Sequence, residues 1–416
     1  MRVLILGSGV VGVTAAYYLA SAGHAVTVVD RQSAPAAETS FANGGQISAS
    51  LAEPWANPEV VPTFLRWLGR KDAPLVFHWR ADPTLFLWGV RFLRNCTAKR
   101  SAVNLERALR IALYSRAQLG KIREDTGITY DEQTNGIVKI YRERRSFDLA
   151  CRRMLAMNAF GTGLRALDRE ACLALEPALA PSAEQIVGAI HAPEDESGDA
   201  HCFTIKLAEE AGRRGVRFLF GETVERLLPA NGRIERVMTN RQTLSADAIV
   251  LSLGSESPLL FRPLGIRLPI YPAKGYSVTF PLRDGKRAPS RGITDEDKKL
   301  VFVRLGDRLR VAGQVEFAGY DRRVEARRCK TLTEAMENLF PGAADLGQPQ
   351  GWAGLRPLTP DTLPVIGPTR FSNLFLNTGH GTYGWTMAAG SGRILADLVE
   401  GRRPEIRIED LGLNRF

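Results

Sequence analysis

Apolar positions along this chain change their spacing several times, and the first change is the most informative. Val3-Leu4-Ile5-Leu6 is an unbroken apolar run without turn formers, the pattern of a strand covered on both faces. It enters Gly7-Ser8-Gly9-Val10-Val11-Gly12, and apolar, alanine-rich positions then recur at helical spacing to about residue 22. Gly23 closes that helix, Ala25-Val26-Thr27-Val28-Val29 predicts a second strand, and Asp30 ends it. Strand, G-x-G-x-x-G loop, helix, strand and terminal acid in this order predict a βαβ unit that binds an adenine dinucleotide. Gly7 permits the tight turn, Gly9 lets the backbone approach a pyrophosphate, and Gly12 lets helix and strand pack closely. The amides around Val10 and Val11 lie at the positive end of the helix, where phosphate binds. Asp30, eighteen residues past Gly12, is placed to accept hydrogen bonds from a ribose, and Arg31 follows it as a further candidate.

The next βα unit does not follow. A polar, glycine-bearing loop occupies residues 38–48, and a proline- and tryptophan-rich stretch starts at Pro54. Helical spacing returns over 84–95, 101–126, 145–160 and 201–214, with short strands predicted at 128–130, 136–141 and 186–191. The run at 216–220 predicts a return to the nucleotide-binding sheet, followed by a meander over 223–228, 233–239 and 243–244 and a fully apolar strand at 248–251. Alternating strands at 271–280, 300–305 and 308–312 predict a second, mainly antiparallel sheet. A helix over 332–339 precedes a loop rich in proline and glycine, and a strand at 374–377 leads into the last helix, 383–400. The expected fold class is α/β, a Rossmann-like cofactor domain with an inserted substrate domain built on the antiparallel sheet. The expected boundaries are 1–55, 197–262 and 360–405 for the cofactor domain, 56–196 and 263–359 for the substrate domain, and 406–416 for a C-terminal tail.

Composition agrees with this two-domain reading. A chain of 416 residues exceeds one hydrophobic core, and 44% hydrophobic with 24% charged residues is ordinary for a globular protein. The five cysteines are scattered, with no C-x-x-C, so neither a zinc site nor a disulfide framework is expected and a reducing, cytoplasmic setting fits. The first apolar run feeds straight into the glycine loop, which argues against a signal peptide. The longest uncharged stretch, 371–392, contains Arg-free but glycine-, Asn- and Thr-punctuated sequence that does not suit a membrane span. A net charge of +10 favours acidic surfaces or anionic ligands, but no nucleic-acid module accompanies it, so no nucleic-acid partner is expected.

Four further segments narrow the reading: Glu38-Thr39-Ser40-Phe41-Ala42-Asn43-Gly44-Gly45-Gln46-Ile47-Ser48, Tyr271-Pro272-Ala273-Lys274-Gly275-Tyr276-Ser277, Gly354-Leu355-Arg356-Pro357-Leu358-Thr359-Pro360-Asp361, and Asn377-Thr378-Gly379-His380-Gly381-Thr382-Tyr383-Gly384-Trp385. With the opening fingerprint they resemble the small-subunit type of bacterial D-amino acid dehydrogenase, within the D-amino acid oxidase, glycine oxidase and sarcosine oxidase group of flavoproteins. The resemblance runs from Met1 to about residue 400. It implies FAD, held without a covalent bond, as the dinucleotide. It places Thr39, Ser40, Asn43, Gly44, Gly45, Gln46 and Ile47 along the ribityl chain and flavin, with Val224 at the adenine and Gly254 near the pyrophosphate. It places Gly379, His380, Gly381, Thr382, Gly384 and Trp385 at the flavin, where the following helix would present its positive end to the ring edge that gains negative charge on reduction.

The resemblance also implies the reaction: oxidative deamination of a D-amino acid such as D-alanine to a 2-oxo acid and ammonia, with a hydride passing from the α-carbon to flavin N5. Arg356 is the candidate carboxylate anchor because its planar fork can donate two hydrogen bonds, with Tyr276 as a candidate second contact. A buried ion pair between Arg356 and Asp361 is the structural alternative. His380 is expected to line the flavin rather than act as a base, and the role of Lys274 stays open. No metal is expected.

The stretch from Trp55 to Cys96 interleaves Trp67, Trp79, Trp88 and several phenylalanines with Arg66, Arg70, Lys71, Arg80, Arg91 and Arg94. Such chemistry suits a membrane–water interface, and it equally suits helices packed over an active site. It leaves open a peripheral contact with the cytoplasmic face of the inner membrane and a quinone as the electron acceptor. The alternatives are an oxygen-using D-amino acid, glycine or sarcosine oxidase, a hydroxyproline dehydrogenase and, more remotely, an RNA-modifying flavoprotein.

Overall fold

A computed structural model describes residues 1–62, 74–78 and 81–416. Its first sheet has six strands in the order Val365–Pro368, Leu374–Thr378, Ala248–Leu251, Arg2–Leu6, Ala25–Asp30 and Arg217–Phe220, all parallel except the first-named edge strand. The strands contributed by residues 2–6 and 248–251 are central, and apart from the exposed Arg2 they are wholly apolar because both faces are covered. Val3, Ile5, Val28 and Val250 pack on one side with Val13, Ala16, Ala388 and Leu395 of helices Val10–Ser21 and Gly384–Val399. Leu4, Leu6, Ile249 and Leu251 pack on the other with Leu227, Phe261 and Leu376. The strands Val224–Ala230, Arg233–Thr239 and Thr243–Leu244 form a separate three-stranded meander beside this sheet.

The second sheet has nine strands and is mainly antiparallel. Its edge strand Gln350–Leu358 pairs with Tyr271–Pro281, which pairs with Arg308–Phe317 and then Leu300–Leu305. Alternation along Tyr271–Pro281 gives this sheet two distinct buried faces. Tyr276, Val278 and Phe280 lie with Leu332, Met336 and Leu339 of helix Ala326–Leu339. Tyr271 and Ala273 lie on the opposite face with Trp88, Phe317 and Leu358.

Four sequence expectations change. The segment expected as a Pro/Gly loop after the 332–339 helix contains the nine-residue strand Gln350–Leu358. Glycine and proline there read as punctuation, yet an edge strand tolerates Pro357. The helix expected from Leu332 starts at Ala326, and no strand forms at 128–130. The 406–416 segment is packed: Leu411 is fully buried, its carbonyl accepts from the Ile366 amide, and Arg415 pairs with Asp361 at 2.7 Å.

Of the aromatic and basic stretch, Arg66, Trp67, Arg70, Lys71, Trp79 and Arg80 lie outside the described residues. Helix Pro83–Asn95 is described. Asp82 caps it by accepting from the Thr84 and Leu85 amides, and Trp88 is its buried residue, its Nε1 donating to the Leu358 carbonyl at 2.9 Å. Phe86, Leu87 and Leu93 are exposed. Among the described residues no helix is long and apolar enough to cross a membrane.

Candidate active site

The carboxyl ends of the parallel strands open into a cleft of about 380 Å³, where a doubly wound sheet places its ligands. The glycine loop forms one wall. Gly7 has φ +105°, and a Cβ on it would lie 2.6 Å from the Ser252 carbonyl oxygen; a Cβ on Gly12 would overlap the Gly7 carbonyl. The protein itself therefore demands these two glycines. Gly9 is different: a Cβ there would meet only Ser40 Oγ, at 3.4 Å, so its bare backbone leaves room for what enters the cleft. Helix Val10–Ser21 starts at Gly9 without a capping side chain on that residue, and Ser40 Oγ accepts from the Val10 amide at 3.1 Å. The positive end of the helix thus faces the cleft beside Val10 and Val11.

Asp30 lines the same cleft. One of its oxygens accepts from the Ser8 amide and hydroxyl, both at 2.7 Å, and the other from the Gln32 amide at 2.8 Å. It therefore also ties the glycine loop to the second strand. Arg31 reaches the cleft wall, where it pairs with Glu38 at 2.7 Å and Glu256 at 3.2 Å. Thr39, Ser40, Val224, Gly254, Gly379, His380, Gly381 and Gly384 also line the cleft.

Other expected cofactor residues stand behind that surface. Asn43 Oδ1 accepts from the Gly45 amide, Gly44 and Gly45 press against Val301 and Val303, and Gln46 bonds to Ile293 and Thr294. This half of the loop is pinned to the antiparallel sheet, with Ile47 fully buried. Thr382 Oγ1 is buried without a hydrogen-bond partner. Trp385 packs against Phe203 and Tyr130, with ring centroids 4.7 and 5.7 Å away, and does not line the cleft. Its place in the core follows from its position in the first turn of a helix buried on nearly every side.

Among the lining residues outside the expected set, two carry buried polar atoms without a partner. Asn377 is fully buried with neither amide atom partnered, and buried Ser252 Oγ also lacks a partner. Each stands at or just beyond the carboxyl end of an apolar parallel strand, and that polar-after-apolar position is the signal that could have found them. Polar groups left open in a buried cleft, a helix N-terminus and a glycine with spare room fit an extended dinucleotide such as FAD. His380 is fully buried, its Nε2 3.1 Å from Ser391 Oγ, and burial pushes its pKa down to about 3. It is neutral at physiological pH.

The remaining expected residues stand on the antiparallel sheet, whose Leu355 and Pro357 line the cleft while Arg356, between them, is not among its lining residues. Arg356 on strand Gln350–Leu358 lies opposite Ala273. Asp361 is engaged by Arg415 instead, and among the described residues no carboxylate pairs with Arg356. The guanidinium's hydrogen bond is to the Gln314 carbonyl, at 3.2 Å, and desolvation pushes its pKa down to about 10, so it stays charged at neutral pH. The expectation for Tyr276 is corrected. Strand alternation puts it on the reverse face from Arg356, under helix Ala326–Leu339, where its hydroxyl donates to Glu316 at 3.0 Å. Lys274 shares that face, fully buried, with its Nζ 3.4 Å from Asp321 and 3.9 Å from Glu316.

Comparison with known proteins agrees with this geometry. The FAD dependent oxidoreductase (DAO) family matches residues 2–398. The D-amino acid dehydrogenase of Paramagnetospirillum magneticum is 52% identical over 419 residues, covering 100% of this chain and 99% of that protein. The D-amino acid dehydrogenase of Dechloromonas aromatica is 51% identical, covering 97% of this chain and 98% of that one. Among solved structures, glycine oxidase from Geobacillus kaustophilus superposes with a TM-score of 0.79 at 23% identity, covering 100% of this chain and 99% of that one, and shows that the fold is shared. Cleft, fold and full-length similarity lead to one conclusion: the chain belongs to the DAO family of FAD-dependent oxidoreductases, together with these D-amino acid dehydrogenases.

Proposed function

We propose that the chain is an FAD-dependent D-amino acid dehydrogenase that converts D-amino acids to 2-oxo acids and ammonia. The observation that carries the substrate assignment is Arg356, a desolvated guanidinium without a carboxylate partner among the described residues. Leaving such a charge unpaired is costly unless a ligand supplies the counter-ion, and a substrate carboxylate does. Bound FAD supplies the two-electron acceptor for the α-carbon hydride. Gly7, Gly9, Val10, Val11, Ser40 and Asp30 would hold its phosphate and ribose end, and Asn377, Gly379, Gly381 and Gly384 its other end. Arg356 orients the substrate by its carboxylate. His380, kept neutral by burial, shapes the site and is not required as a base.

We assign residues 1–55, 197–262 and 360–405 to the FAD-binding domain and the inserted segments 56–196 and 263–359 to the substrate domain. Electrons pass on to a quinone, and the exposed Phe86, Leu87 and Leu93, on a helix that also carries Arg91 and Arg94, support peripheral contact with an acidic bilayer. The testing experiment is anaerobic mixing of the holoenzyme with matched D- and L-amino acids. D-substrates should bleach the flavin absorbance, and bleaching by the L-series alone would overturn the proposal. Stopped-flow reoxidation should then be faster with a quinone analogue than with dissolved oxygen. Rapid stoichiometric peroxide would make the chain an oxidase.

A further inference from the structure

The Arg356 side chain has an unusual seat. Its strand and the strand that carries Gln314 are not neighbours; Tyr271–Pro281 runs between them. The guanidinium crosses that central strand at Gly275, lying where a side chain would stand: a Cβ built on Gly275 would overlap it. On the far side the regular pairing breaks. Gly275 faces Val315 while Tyr276 faces Gly313, so Gln314 is an extra residue in the ladder. It adopts φ +56°, in the left-handed region that residues other than glycine seldom occupy, and it is buried. A bulge of this kind turns a peptide group out of the ladder, and here the Gln314 carbonyl accepts from Arg356 Nη1 at 3.2 Å.

We propose that Gly275 and the Gln314 bulge are positioning residues that hold the Arg356 guanidinium in one orientation for a ligand carboxylate. The inference rests on the reading of Arg356 as the carboxylate anchor. A long arginine side chain carries several rotatable bonds, and its planar fork binds a carboxylate through two hydrogen bonds only when its plane is fixed. The bare backbone at Gly275 supplies the flat support. The bulge carbonyl occupies Nη1, and Nε and Nη2 have no partner among the described residues. That pair is the edge left for the ligand. The strand pairing alone would not create this arrangement, because a regular ladder would keep the Gln314 carbonyl within the sheet.

The test measures FAD content, kcat and KM for D-alanine, and the Kd for propionate, a non-oxidisable carboxylate, from the flavin spectrum of the holoenzyme. Gly275→Ala should raise KM and the propionate Kd at least tenfold while FAD content stays stoichiometric, the larger share of the loss falling in KM. Gln314→Val, β-branched and disfavoured at positive φ, should raise both constants as well. Gln314→Gly keeps the carbonyl and the conformation, and should recover most of the affinity that the Val variant loses. If Gly275→Ala does not retain FAD, the Val and Gly pair decides the matter. Equal loss in Gln314→Gly and Gln314→Val would overturn the assignment, as would unchanged propionate affinity in both Gly275→Ala and Gln314→Val. Arg356→Ala separates the two readings. If it leaves propionate affinity intact, the anchor itself is wrong; if it abolishes binding while the other variants bind normally, only the positioning inference fails.

Discussion

The two faces of strand Tyr271–Pro281 each hold positive charge, fully buried on one and partly buried on the other, and they treat it in opposite ways. On the face under helix Ala326–Leu339, Lys274 and Arg328 surround Glu316, with Arg328 Nε 2.7 Å from one carboxylate oxygen and the Tyr276 hydroxyl and Lys274 Nζ at 3.0 and 3.9 Å from the other. That cluster supplies its own counter-charge. On the other face Arg356 has a backbone carbonyl and no carboxylate among the described residues. Sequence alone makes Lys274 and Tyr276 look as eligible for the active site as Arg356. What distinguishes them is completeness: the charges around Glu316 are satisfied from within the fold, whereas Arg356 has no carboxylate among the described residues, which is the ground for proposing it as a ligand anchor.

That difference can be broken experimentally, beginning where the effect should be largest. Glu316→Gln removes the carboxylate charge that Arg328, Tyr276 and Lys274 share, although Lys274 keeps Asp321 at 3.4 Å; it should cost about 3 kcal/mol of stability, read by urea denaturation, because a buried ion pair loses its counter-charge. A loss near zero would show that the cluster is solvated in solution. Arg356→Ala should leave stability unchanged or slightly improved, while kcat/KM for D-alanine falls by the equivalent of about 2–5 kcal/mol and the flavin spectrum is retained. Arg356→Lys should recover only part, since a point charge cannot reproduce the fork. Destabilisation of Arg356→Ala on the scale expected for Glu316→Gln would make Arg356 structural and remove the contrast.

His380, which lines the cleft, provides a charge-free control. Burial lowers its pKa from 6.5 to about 3, so between those values the unfolded chain binds a proton that the folded chain refuses. Its contribution is complete above the unfolded pKa and is lost as pH falls towards 3. The slope in that window is about 1.4 kcal/mol per pH unit, and His380→Asn should flatten the profile by that amount. A wild-type profile matching the variant would show that the imidazole is protonated in the fold. The smallest effect concerns the aromatic cover on the Arg356 face. Asp82→Ala removes the cap of helix Pro83–Asn95 and should cost about 1 kcal/mol in thermal or urea unfolding. A Gly9→Val variant sharpens the cofactor side: it should purify without the yellow of bound FAD, and stoichiometric FAD in that variant would displace the phosphate loop from the pyrophosphate.

Much of the cofactor side was legible because its signals are local. A buried parallel strand is a continuous apolar run, and the glycine loop must follow it directly, so Arg2–Leu6, Gly7, Gly12 and Asp30 could be placed by counting. The strand Ala248–Leu251 was readable for the same reason. Strand Gln350–Leu358 was not, because its Gly351, Gly354 and Pro357 look like loop punctuation and only pairing with Tyr271–Pro281 makes them strand residues. The resemblance places Asn43 to Ile47 at the cofactor; the structure adds that Asn43 braces the loop internally and that Gln46 ties it to the neighbouring sheet.

By itself the sequence determined that this chain builds a dinucleotide cleft, whereas Arg356 stood out as a carboxylate anchor through the family resemblance. Local chemistry suffices for the cleft, since the loop spacing and the apolar strands on either side carry it. Tertiary structure alone decided which cations Asp361 and Glu316 would serve, which face Tyr276 would take, and that Gly275 and Gln314 would come together beneath Arg356. Those outcomes depend on register between strands far apart in the chain. A one-residue shift of register would exchange every inward and outward side chain, and no local pattern contains that information.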